Sequence, residues 1–366
     1  MREIIYLDNA ATAMPTKKVI EEMTDILMKS YGNPSSLHSM GLEAENIITS
    51  ARKTLADSIS SHEDEIYFSP SGTIANNTAI SGFLRRNRKN TGNRILCSSV
   101  EHPSVHNVFE ALIKEGYEVF PIPVIDFSLD YDFIEKNTDE NTALISVMAV
   151  NNETGSIFDI KKIRDIVSRK KLKTVIHSDF VQGYLKIPLN VNTFGADILT
   201  FSAHKIGGPK GIGGLYIRKG ILTEPIYYGG GQEKNLFSGT ENTAAIAGFS
   251  VAVKNYQQFD HGLYDLFLQK LSKDITINSK NNIKEILNIS ISMRSEIALH
   301  MLENEGIFVS SGSACSQKKG DKNRVLKNFG IDKSRQDTAL RLSFSSDITI
   351  EDIEKAAEAV NKLMCV

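Results

Sequence analysis

Lys205 closes the run Ser202-Ala-His-Lys205, which follows an apolar, strand-like stretch over 196–201 and precedes a glycine- and proline-rich segment over 207–214. A lysine at a strand end, followed by close-packing glycines, is placed for covalent work. One apolar run earlier, His177-Ser-Asp179-Phe-Val-Gln182 sets a carboxylate past a second strand-like stretch over 174–176. An amine that can form a Schiff base and an acid that can hold a pyridinium nitrogen are the minimum protein equipment for pyridoxal phosphate. A lysine taken alone is ordinarily a solvated surface charge, so the reading depends on its company.

That company lies at the ends of predicted strands. Short apolar runs at 65–69, 94–98, 118–122, 142–150, 173–177, 197–201 and 214–217 alternate with helical patterns at 15–30, 42–58, 73–86, 104–115 and 160–170. Proline at the first turn opens the earliest helix. Such alternation predicts an α/β fold with a mostly parallel sheet covered on both faces. Ligands of these sheets bind beyond the carboxyl ends of the strands.

Five runs end in suitable groups. Ser69-Pro-Ser71-Gly72-Thr73 enters a helix whose free N–H groups suit a phosphate, and Gly72 permits close approach. Glu101-His102-Pro103 offers an imidazole that could stack on a pyridine ring. Asn151-Asn152-Glu153 offers amides to a ring hydroxyl, Asp179 comes with Gln182, and Lys205 with Ser202 and His204. Ser, Asn, Asp and Gly also mark strand ends for local reasons. Turn chemistry does not ask for Lys and Asp in the same set.

A second centre is Val309-Ser-Ser-Gly-Ser-Ala-Cys315, a cysteine in a run of small residues. It reads as a thiol nucleophile that swings between substrate and acceptor. Cys97 fits a core strand residue, and Cys365 reads as incidental. Arg341, a charge in the apolar run 339–344, is either paired structurally or a bidentate clamp for a carboxylate.

Composition sets the bounds. The 366 residues, 41% of them hydrophobic, can bury one large core or two unequal ones. The net charge of −2 gives no basic field for nucleic acid. No apolar run reaches the length of a membrane span, and the acidic start with Glu3 and Asp8 lacks a signal-peptide core. Three cysteines make no disulfide framework, so a reducing cytoplasm is expected. After residue 256 the pattern becomes helix 262–273, strand 286–293, helix 295–305, strands 307–310 and 339–344, and helix 349–364, a smaller α/β unit.

These segments, in order, closely resemble the cysteine desulfurases of the class V aminotransferase superfamily. The likeness runs from Tyr6-Leu-Asp-Asn-Ala-Ala-Thr12 through Tyr31-Gly-Asn-Pro34, Glu101-His102, Val150-Asn-Asn-Glu153, Asp179 to Gln182, Ser202 to Lys205, Ser238-Gly-Thr240 and Ser310 to Cys315, and ends at Arg341. The Ser-Gly-Ser-Ala-Cys run marks the branch with a longer catalytic loop.

The resemblance implies pyridoxal-phosphate fold-type I, with a large cofactor domain over 14–255 and a small domain from 1–13 and 256–366. Lys205 would hold the cofactor covalently, and Asp179 would keep its ring nitrogen protonated. His102 would stack on the ring and handle protons, Asn152 would lie near the cofactor or the substrate carboxylate, and Gln182 near the ring hydroxyl. Gly72, Thr73, Ser202 and His204 would bind phosphate, with Thr240 reaching over from a partner subunit in a homodimer. Arg341 with Asn33 would hold the carboxylate of L-cysteine. The Cys315 thiolate would take the substrate sulfur as a persulfide, releasing alanine, for transfer to a sulfur-acceptor protein. No metal is implied.

Two departures stand out. Ile74 replaces the acid common after the Gly-Thr pair, and Phe237 replaces the arginine common before Ser-Gly-Thr. The basic run after Cys315, with Lys318, Lys319 and Lys322, is ordinarily a solvated face. It raises the expectation of an acceptor in tRNA thiolation or thiamine synthesis rather than the iron–sulfur scaffold. Other readings are a selenocysteine lyase, an aminotransferase of small amino acids, or a non-catalytic sulfur-delivery subunit. A zinc hydrolase would need a glutamate beside the first histidine of His102-Pro-Ser-Val-His106, and the glycines of 207–214 fit no nucleotide fingerprint.

Overall fold

The computed structural model describes residues 4–311 and 323–364. A short strand β1 (Ile5–Tyr6) leads to helices α1 (Lys17–Lys29) and α2 (Ser39–Ile59). The hydroxyl of Thr16 accepts the Val19 N–H and caps α1, so Pro15 lies outside the helix it was expected to open.

Seven strands form the central sheet: β2 (Ile66–Ser69), β3 (Arg94–Ser98), β4 (Glu118–Ile122), β5 (Thr142–Ser146), β6 (Val175–Asp179), β7 (Ile198–Ser202) and β8 (Gly213–Ile217). Their order is β2-β8-β7-β6-β5-β3-β4. All neighbours are parallel except for β8, which runs against both β2 and β7.

Side chains alternate across a strand, so successive residues feed opposite faces. Leu96, Ile145, Ile176 and Leu199 join one core with Val19, Leu55 and Phe249. Ile95, Leu144, Val175 and Ile198 join the other with Ala75, Ile80 and Phe109. Burial on both faces is why these strands read as unbroken apolar runs.

The strand expected over 142–150 ends at Ser146. Beyond it, the N–H groups of Val147 and Ala149 still reach the carbonyls of His177 and Asp179, so the chain follows β6 as far as the Asn151 turn. The helix expected over 73–86 is α3 (Gly72–Asn77), a π turn over 78–82, and α4 (Phe83–Asn87). Helix α5 (Pro103–Lys114) follows β3, α6 (Ile160–Arg169) follows β5, and α7 (Thr243–Lys254) packs on α1 and α2.

A further core gathers Ile5 and Leu7 with Phe259, Phe267, Leu302, Ile353 and Val360. Here β9 (Ile286–Ser290) pairs with β11 (Ala339–Ser343), and β1 pairs with β10 (Ile307–Phe308). Val325, Leu326 and Phe329, although late in the chain, pack into the core of the large sheet. Among the described residues no helix is long and apolar enough to cross a membrane.

Candidate active site

The site begins at the β2–α3 turn. The Ser71 hydroxyl accepts the Ile74 N–H at 3.2 Å and caps α3. A Cβ on Gly72 would stand 3.2 Å from Val181 Cγ2 and 3.3 Å from Ser202 Cβ. Glycine therefore lets the helix start close against the end of β7. Thr73, one residue on, is exposed.

The expected strands 173–177 and 197–201 lie one or two residues further along, as β6 and β7, so Asp179 and Ser202 are the last residues of their strands. Asp179 is buried; its Oδ1 accepts the Val181 N–H at 3.0 Å and its Oδ2 accepts the Asn76 amide at 2.8 Å. After Ser202 a single 3-10 turn, Ala203–Lys205, delivers His204 and Lys205. Lys205 Nζ donates to the carbonyls of Ala10 and Ala11, each at 2.7 Å. His204 Nδ1 lies 3.2 Å from the Thr12 hydroxyl. Burial, aided by Lys205, Lys210 and Lys186, pushes the His204 imidazole down to about 4, which makes it neutral at neutral pH.

His102 caps α5. Its Nδ1 accepts the Ser104 N–H at 3.1 Å and lies 2.8 Å from the Ser104 hydroxyl. Burial lowers its pKa against the pull of Asp179, with Lys205, Arg324 and Arg341 adding to the shift. The preceding Glu101 is fully buried; its Oε1 accepts from the Ser98 hydroxyl and the Met148 N–H, both at 2.7 Å, tying this turn to the chain after β5.

Asn151 accepts the N–H groups of Glu153 and Thr154, each at 3.0 Å, and so folds the turn that presents Asn152. Asn152 Oδ1 is buried with no hydrogen-bond partner among the described residues. Arg341 donates to the Asn152 carbonyl at 3.0 Å and to Asp8 at 2.8 Å, while its Nε is buried without a partner. Of the two readings left open for Arg341, the structural pair with Asp8 is present, and the Nε donor remains unused. The Ser310 hydroxyl also donates to Asp8, and the backbones of Ser310 and Arg341 exchange two hydrogen bonds. Cys315, with Lys318, Lys319 and Lys322, lies outside the described residues.

Gln182 donates to the Ala10 carbonyl at 2.9 Å and accepts from Lys186 Nζ at 3.1 Å. Thr240 and Asn33 are exposed, and Asn33 accepts the Ser35 N–H. Among the described residues, neither joins the hydrogen bonds of the rim. The two departures are apolar packing: Ile74 lies against the core that buries Phe237.

The rim fits pyridoxal phosphate. A buried carboxylate and a lysine amine stand at the ends of adjacent strands, and Gly72 brings the start of α3 close against Ser202. The unpartnered Asn152 Oδ1 and Arg341 Nε are polar atoms that a ligand would satisfy. Sequence reasoning missed Asn76, Ser104, Asp8 and Lys186. Asn76 lies four residues after Gly72 in α3, a spacing that puts helical neighbours on one face, whereas Lys186 reaches Gln182 across a turn in which Leu185 has a φ of 61°.

The family model for aminotransferase class-V matches residues 5–356. A protein named cysteine desulfurase IscS from Dictyoglomus turgidum is 35% identical over 379 residues, covering 100% of this chain and 95% of the relative. A NifS/IcsS protein homolog from Lactobacillus delbrueckii subsp. bulgaricus is 36% identical, covering 98% and 97%. Among solved structures, a NifS-like protein superposes with a TM-score of 0.91 at 30% identity over 100% of both chains. SspA in complex with cysteine superposes with a TM-score of 0.83 at 28% identity, covering 93% of this chain and 99% of that one.

Proposed function

The chain belongs to the aminotransferase class-V family, and on that premise we propose that it is a pyridoxal-phosphate-dependent cysteine desulfurase acting on L-cysteine. The observation that carries the reading is the buried Asp179, fixed at both oxygens, on the strand beside the one that delivers Lys205. Full-length likeness to proteins named cysteine desulfurase supports it.

Bound pyridoxal phosphate supplies an electron sink for bond changes at the substrate's α- and β-carbons. Lys205 would hold the cofactor and, once displaced by substrate, take up the proton from the α-carbon at Nζ. Asp179 would pair with the ring nitrogen and His102 would cover the ring. Gln182 would lie by the ring hydroxyl, and Gly72, Thr73, Ser202 and His204 would surround the phosphate. Arg341, with Asn152 and Asn33, would orient the substrate carboxylate.

The Cys315 thiolate would attack the substrate sulfur. The Cβ–S bond breaks, an S–S bond forms on Cys315, and the carbon skeleton leaves as alanine after proton uptake, so cysteine and a thiol become alanine and a persulfide. The persulfide would pass to an acceptor for iron–sulfur clusters, thiolated tRNA or thiamine, in a reducing cytoplasm that keeps the thiol free.

A homodimer would bring Thr240 to the partner's phosphate site. Met14, Leu27, Met28, Tyr31, Leu37 and Leu42 are exposed apolar side chains of the N-terminal stretch that such an interface would cover.

The test is release of alanine and sulfide from L-cysteine with a reductant. Equal yields, lost in Cys315→Ala while the cofactor stays bound, are expected. Undiminished turnover in that variant would sink the persulfide step, and cofactor binding without turnover would point to another substrate or a delivery role.

A further inference from the structure

One hydrogen-bonded relay beneath the rim has every donor and acceptor decided. The Asp179 carboxylate accepts an Asn76 N–H, which fixes which way the Asn76 amide faces, so that Asn76 Oδ1 accepts from the Thr200 hydroxyl at 2.6 Å. Both of its N–H groups are then spent: one on Asp179 Oδ2 at 2.8 Å, the other on the Ser104 hydroxyl oxygen at 2.9 Å. Ser104 Oγ, being an acceptor there, has its own proton free for His102 Nδ1, 2.8 Å away. The same nitrogen already receives the Ser104 backbone N–H at 3.1 Å. A ring nitrogen that accepts from a backbone N–H carries no proton of its own. All four side chains below the imidazole are nine-tenths or more buried: Thr200, Asn76, Asp179 and Ser104.

We infer that Asn76 and Ser104 are positioning residues that lock His102 as the tautomer with its proton on Nε2, and that the single Asn76 amide ties this state to the placement of Asp179. His102 thus enters the reaction as a donor at Nε2, with its Nδ1 closed to protons by two donors. The relay itself lies wholly within the protein; only its use in catalysis rests on the cofactor reading. The charged groups facing His102 are Asp179, which favours its protonation, and Lys205, Arg324 and Arg341, which oppose it. A bond donated to Nδ1 stabilises neutral imidazole, so removing the Ser104 hydroxyl moves His102 towards protonation.

The experiment is a 15N–1H correlation spectrum of histidine-labelled protein, with His102 assigned from His102→Gln, recorded with and without bound cofactor across pH. Wild type is expected to show a bare Nδ1 and a protonated Nε2. Ser104→Ala leaves the Asn76–Asp179 bond in place and is expected to raise the His102 midpoint by about half a pH unit or more. Ser104→Thr should restore it. The acid limb of alanine formation should move with the midpoint. A wild-type ring protonated on Nδ1, or a Ser104→Ala protein with unchanged midpoint, overturns the inference. Because the spectrum is read without cofactor as well, failure to bind cofactor would count against the proposed function and leave the relay standing.

Discussion

Lys186 sits in an environment that resists its charge. Its ammonium donates to Gln182 Oε1 behind the rim, near Glu285 and Arg341. Burial, aided by Arg341 and opposed by Glu285, pushes it from 10.5 down to about 8. Between those values the unfolded chain holds a proton that the folded chain lacks, so stability rises with pH across the window, by up to ~1.4 kcal/mol per pH unit. Lys186→Met should abolish that rise in urea titrations, and by releasing Gln182 should weaken cofactor retention about tenfold, ~1.4 kcal/mol. An unchanged alkaline slope would remove the assignment. Lys205, Asp179 and Arg341 were legible in the sequence because charges are rare at the ends of apolar strands, as for the first two, and rarer within one, as for Arg341. Lys186 and Asn76 were not, because their work depends on partners distant in sequence: Arg341 and Glu285 for one, Asp179, Ser104 and Thr200 for the other.

Among the elements, the segment leading to Thr240 is held against its own backbone preference. Glu233, Lys234 and Asn235 have φ of 48°, 56° and 69°, a left-handed run that costs about 1–2 kcal/mol per residue. It is offset by a fork: Arg52 Nη1 and Nη2 meet the two Glu233 oxygens at 2.8 and 2.7 Å, and the Phe68 N–H adds a third bond at 2.8 Å. Breaking such a buried pair costs roughly 3–5 kcal/mol. Glu233→Gln should therefore lower stability by an amount of that order and loosen the chain that carries Thr240, measurable as a lower unfolding midpoint and weaker cofactor binding together. Loss of neither would mean that the fork is idle. The seven main strands were legible from their apolar runs, since burial on both faces leaves an uninterrupted signal. The hairpin of Val124–Ile125 with Ser128–Leu129 was not. Its turn places Asp126 and Phe127 at positive φ, and a phenylalanine there carries none of the glycine or asparagine signal that marks such turns.

Across the whole molecule, the buried His177 and Glu101 and the half-buried His204 set opposing pH slopes. Burial pushes His177 down to about 3 and His204 to about 4, each from 6.5, while it drives Glu101 up from 4.5 to about 8. Above pH 6.5 the unfolded chain has released the Glu101 proton that the folded chain keeps, so these groups make stability fall as pH rises towards 8. Below 6.5 the unfolded chain takes up protons on both histidines that the folded chain refuses. Glu101 works the other way by one proton down to 4.5, so the two histidines outweigh it and stability falls as pH falls. Each net proton is worth ~1.4 kcal/mol per pH unit. The three groups together therefore place a maximum near pH 6.5, where the two half-protonated histidines of the unfolded chain balance the one proton that the folded chain keeps on Glu101. Glu101→Gln keeps an acceptor for the Ser98 hydroxyl and the Met148 N–H but no longer titrates. In urea unfolding followed from about pH 5 to 8, the variant should hold a plateau above 6.5 where the wild type declines, and should lose stability more steeply than wild type below it. A variant that declines in parallel with wild type above 6.5 would show that Glu101 is ionised in the folded chain, and that the field of Arg324 and the two donors outweighs its burial.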